Sequence, residues 1–196
     1  SPVPESAAVV ESSVFRGNRA RSSGADQGRG GAIKASSNDV SNDTVNYPSA
    51  ELTVRDSFFQ GRYQGVGSAA QSGGCIYATG DLNRMYGLGG VNQGGNLSTN
   101  RADVVIEDTT FVDCDVNEFV SGASYGGAVY GGLVDLTVTD GFFADCDTFG
   151  SEGRGGAVAV VTESAATFTS SVFATTRASQ QGGALRVTGS TLQVAG

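Results

Sequence analysis

GRGGAIKAS, residues 28–36, contains the tetrad Gly30-Gly31-Ala32-Ile33, and the chain writes that tetrad four more times. The copies are Gly73-Gly74-Cys75-Ile76, Gly126-Gly127-Ala128-Val129, Gly155-Gly156-Ala157-Val158 and Gly182-Gly183-Ala184-Leu185. A lone glycine pair invites a phosphate-loop reading, but no copy is followed by a Walker lysine or a helical pattern. Five copies make the tetrad a structural repeat, and repeats decide the fold before any local motif does.

A second motif precedes each tetrad. Phenylalanine recurs at Phe15, Phe59, Phe111, Phe143 and Phe173 after a short polar step. Five residues before each stand Val10, Val54, Ile106, Val138 and Phe168, and two earlier Ala8, Leu52, Val104, Leu136 and Ala166. That alternation is the two-residue period of a strand with one face in a core. From the second Gly to the next Phe the chain runs 31 to 59, 74 to 111, 127 to 143 and 156 to 173, or 28, 37, 16 and 17 residues. The last two intervals define the bare unit, so the first two carry insertions, read as loops near 36–48 and 79–100.

A unit of about thirty residues with short strands, no helical period and the same residue type in each column suits a coil of a parallel β-solenoid. Each coil then rises about 4.8 Å, and like stacks on like. The expected fold is all-β: a single-stranded right-handed parallel β-helix of about five coils over residues 8–196, after an N-terminal extension at 1–7. Antiparallel hairpins in a sandwich are the alternative, but they give no reason for the same tetrad in every unit. The 30 glycines, three prolines and absence of tryptophan agree with short extended segments joined by tight bends.

The tetrad GGAI at 30–33 together with FRGN at 15–18 resembles the paired GGA-I/L/V and FxxN repeats of chlamydial polymorphic outer membrane proteins. That resemblance covers about residues 8–194. It implies a right-handed β-helix displayed at a cell surface as an adhesin. Only the first unit keeps the Asn, at Asn18; later units place Arg62, Cys114, Cys146 and Thr176 there.

Twenty acidic against twelve basic residues leave a formal charge of −8, which disfavours nucleic acid and anionic lipid as partners. No histidine is present, so Ser-His-Asp and Cys-His catalysis and ordinary zinc sites are excluded. No run approaches eighteen apolar residues, and neither a membrane span nor a signal peptide is visible.

Local chemistry is densest where FVDCD at 111–115 stacks on FADCD at 143–147. Asp113 then lies over Asp145 and Asp115 over Asp147, four carboxylates that would suit Ca²⁺, the one metal this reading suggests. The plain alternative is a solvated acidic ladder. Cys114 and Cys146 share a column, placing their Cα atoms about 5 Å apart, within disulfide range. A reduced pair filling a small inward position is the alternative, and Cys75 reads as a small packed residue in an Ala column. The sequons Asn42-Asp43-Thr44 and Asn96-Leu97-Ser98 both fall in the insertions, making Asn42 and Asn96 glycosylation candidates. Arg62, Arg154 and Arg177 are the basic residues a lyase-type reaction would draw on. Lys34 reads as an outward strand residue, and Tyr77 and Tyr130 as an outward pair that could stack on sugar rings, with ordinary strand packing the favoured explanation.

Leu192 and Val194 repeat the phase of Ala8 and Val10, so a sixth unit begins near the end of the chain. The expectation is a non-catalytic extracellular structural or adhesive solenoid. It would be part of a longer surface stalk, or would self-associate through open ends into a filament, with surface glycans as further partners. The alternative is a carbohydrate-active or carbohydrate-binding β-helix of the polysaccharide-lyase kind.

Overall fold

A computed structural model of the chain describes residues 6–18, 29–36, 50–61, 72–80, 101–117, 123–149 and 152–196. Every regular element in them is a β-strand, and every strand pairing is parallel. The architecture is all-β and compatible with a β-helix.

The longest strands form a six-stranded sheet in the order Ser6–Glu11, Ala50–Arg55, Ala102–Glu107, Val134–Thr139, Ala165–Thr169 and Thr191–Ala195. Its register sets Val10, Val54, Ile106, Val138, Phe168 and Val194 in one column, with Ala8, Leu52, Val104, Leu136, Ala166 and Leu192 beside it. These are the two apolar columns read from the sequence. The first strand starts at Ser6, so it takes in two residues assigned to the extension.

Each strand of that sheet, the last excepted, is followed after two residues by one of the Phe strands, Val14–Arg16, Phe58–Gln60, Thr110–Val112, Phe142–Ala144 and Val172–Ala174. The rings of Phe15, Phe59, Phe111, Phe143 and Phe173 stack with centroids 4.7–4.9 Å apart and planes within 13°. Ring spacing therefore equals strand spacing. The third large sheet holds the residues after the glycines: Ile33–Ser36, Ile76–Thr79, Val129–Gly132, Val158–Val161 and Leu185–Thr188. Two smaller sheets lie between the Phe and tetrad strands in chain order: Val116–Asn117 with Asp147–Phe149 and Arg177–Ala178, and Ala123–Tyr125 with Glu152–Arg154. One hydrophobic cluster joins the Phe, aliphatic and tetrad columns, from Val10 and Phe15 to Phe173 and Leu185.

The two glycines of each tetrad have different jobs. The first is left-handed in all five units, with φ between +59° and +68°. The second has ordinary φ but lies against the opposite wall. A Cβ at Gly127 would stand 2.6 Å from the Cys114 carbonyl oxygen and 2.9 Å from the Asp147 amide nitrogen, and would collide with the Gly156 carbonyl. One glycine makes the bend and its neighbour lets the corner close onto the turn that follows the Phe strand.

The corner before each Phe strand is also left-handed, although no glycine occupies it. Ser12, Asp56, Asp108, Asp140 and Ser170 have φ from +45° to +51°. Short polar residues are the ones that tolerate this conformation. In four of the five units, Gly141 being the exception, the next residue carries a hydroxyl that closes the turn: Ser57 Oγ donates to the Arg55 carbonyl at 2.7 Å and accepts from the Ser13 amide at 3.2 Å. Ser171 does the same with the Thr169 carbonyl and the Gly141 amide.

Candidate functional site

The stacked FVDCD and FADCD segments keep the register expected of them, since Val112 pairs with Ala144 and Val116 with Thr148. Their carboxylates nevertheless part into two pairs. Asp113 and Asp145 occupy left-handed turn positions, φ +52° and +49°, in the column of Gly17 and Thr175. Asp145 accepts a hydrogen bond from Thr175 Oγ1 at 2.6 Å. Asp115 is buried and accepts from the Asp147 amide at 3.2 Å, while Asp147 stands beside Arg177 in register. Among the described residues no group of three or more carboxylates or thiols is placed to hold a metal ion. Residues two apart on either side of a turn face different environments, and that separates Asp113 and Asp145 from Asp115 and Asp147.

The cysteines pair otherwise than the column predicts. Cys114 is bonded to Cys75, with Cα atoms 5.8 Å apart, and Cys146 is a free, fully buried thiol. The reason is directional. Stacked parallel positions point their side chains the same way, so Cys114 and Cys146 lie one over the other. Cys75 sits on the opposing wall, in the Ala32, Ala128, Ala157 and Ala184 column, where the closed glycine corner brings the two backbones together. The Cys146 thiol donates to the Ala144 carbonyl at 3.3 Å, and burial, aided by Asp115, Asp147 and Asp113, pushes its pKa far up.

Asn42, Asn96 and Arg62 lie outside the described residues. Lys34 is exposed, as its alternation implies. Tyr77 and Tyr130 do stack on each other, centroids 5.1 Å apart, but they are only 1% and 5% exposed. A sugar ring therefore has no free tyrosine face here. They form a second small apolar cluster with Ala159, flanked by Tyr125 and Val161.

That cluster has a setting which the repeat reading missed. The left-handed glycine folds the residue before the tetrad back alongside the residue after it. One column is Arg29, Ser72, Tyr125, Arg154 and Gln181, and its neighbour is Lys34, Tyr77, Tyr130, Ala159 and Arg186. Cations and aromatic rings thus share one corner. Arg29 lies 5.5 Å from the Tyr77 ring centroid, Arg154 5.8 Å and Arg186 5.3 Å from that of Tyr125. Arg154 Nη1 donates to Tyr125 Oη at 3.2 Å and Nη2 pairs with Glu152 at 3.1 Å. The signal was legible in principle, since basic or aromatic residues precede three of the five tetrads.

No family model, curated protein or solved structure matches the chain.

Proposed function

We propose that the chain is a length of right-handed parallel β-helix with a non-catalytic structural or adhesive role outside the cell, built to stack with further units of its own kind. The finer fold rests on chain order. Each unit visits the six-stranded, Phe and tetrad sheets in the same sequence, and parallel crossover connections are right-handed in nearly all known cases. The likeness of GGAI and FRGN to adhesin repeats supports the same reading.

The observation that carries the role is the ladder of like on like: Phe15, Phe59, Phe111, Phe143 and Phe173 stack ring on ring, and successive units share one hydrophobic core. A unit of the same kind is thus the surface each unit is shaped to meet. The Cys75–Cys114 disulfide suits an oxidising, extracellular setting. Surface glycans are the further partners of an adhesive version.

Electron microscopy and sedimentation of the purified chain over a concentration series test the proposal. End-to-end rods that grow with concentration are expected. Strictly monodisperse particles at the highest soluble concentration would overturn the stacking, and turnover in a depolymerisation assay on acidic polysaccharides would overturn the non-catalytic role.

A further inference from the structure

Two guanidiniums meet at one ring in the corner before the tetrads. Arg154 is the register neighbour of Tyr125, and Arg186, one unit further on, reaches past Ala159 to the same ring. Ala159 makes that reach feasible. Its column holds Tyr77 and Tyr130 in the two preceding units, and a third large side chain there would fill the path.

Among the described residues the charges at this corner do not balance: Glu152 engages Arg154, and no carboxylate pairs with Arg186. Arg154 Nε and Arg186 Nη1 are both buried without a hydrogen-bond partner among the described residues. Guanidinium groups stay charged in proteins, and buried donors ordinarily have acceptors. The Tyr125 ring holds the two cations together by its quadrupole but supplies no full negative charge. A chain of net charge −8 has here concentrated two cations around one ring.

We propose that Arg154, Arg186 and Tyr125 form a binding site for an oxyanion, a carboxylate or sulfate group, free or carried by an acidic saccharide. The planar fork of a guanidinium matches such a group in geometry and charge. Both side chains are partly exposed, Arg154 to 23%, so a small rotation turns their donors toward an incoming oxygen. Glu152 already accepts from Arg154 Nη2, so it competes with the ligand. The site does not require the stacking proposed above, although Arg186 stands on Leu185–Thr188, the edge strand of the tetrad sheet.

Calorimetric titration at low ionic strength with sodium sulfate, sodium acetate, a trimeric uronic-acid oligosaccharide and a neutral trisaccharide tests the site. The anionic probes are expected to bind saturably and the neutral one not at all. Arg186→Gln should weaken binding tenfold or more. Glu152→Gln should tighten it severalfold, an effect a merely structural role of the cluster would not produce. A uronate trimer binding tenfold tighter than acetate assigns the oxyanion to a saccharide; equal affinities assign it to the free anion. Absence of saturable binding by every anionic probe, or wild-type affinity in both variants, would overturn the proposal.

Discussion

The second glycine of the tetrad offers a test in which the same substitution gives opposite results at two positions of one column. Gly127→Ala puts a Cβ 2.6 Å from the Cys114 carbonyl oxygen and 2.9 Å from the Asp147 amide nitrogen, besides striking the Gly156 carbonyl. All three are backbone atoms fixed by inter-unit pairing, so relief requires the opposing walls to separate. Overpacking of this kind costs about 1–3 kcal/mol where side chains can yield, and a backbone clash belongs at the top of that range. At about 2–4 °C per kcal/mol for a chain of this size, 3 kcal/mol lowers the melting temperature by about 6–12 °C. Gly183→Ala, in the last unit, meets only the Thr176 carbonyl oxygen at 3.5 Å and has no positive φ. It should be neutral or stabilising by about 0.5 kcal/mol through the unfolded chain. Gly182→Ala, one residue earlier, keeps φ +65° and lies 2.9 Å from the Leu185 carbonyl carbon, so it should cost at least about 1–2 kcal/mol even in the last unit. Thermal and urea melts followed by circular dichroism read all three. Equal losses at Gly127 and Gly183 would refute the claim that the neighbouring unit imposes the second glycine.

Cys146 gives a pH signature. Its folded thiol holds the proton to higher pH than the unfolded thiol, which titrates near about 8.5. The unfolded state therefore binds fewer protons above that pH, and stability should fall there by up to about 1.4 kcal/mol per pH unit. Urea melts from pH 7 to 10 should show a shallower decline in Cys146→Ala, and superimposable curves would reject the buried-thiol account. Intact mass with and without reductant should reveal one disulfide, and the Cys75→Ser/Cys114→Ser double variant should lose about 3–4 kcal/mol for a closed loop spanning 39 positions; an unchanged melt would deny that bond. At the corner before a Phe strand, Asp108→Val should cost about 1–2 kcal/mol while Asp108→Gly stays near neutral, because the position is held at φ +45°.

What the sequence made legible is whatever repeats along the stack. The Phe, aliphatic and Gly-Gly columns could be read because each unit places the same residue type at the same phase, and parallel pairing converts phase into contact. What it hid runs across the stack. The partner of Cys114 lies on the opposing wall and not in its own column, so counting along columns led to Cys146. The burial of Tyr77 and Tyr130 was hidden for a related reason. Alternation says which face of a strand a residue takes, and it is silent on what packs over that face. The left-handed Asp and Ser corners were visible only as a polar step, because no glycine marks them.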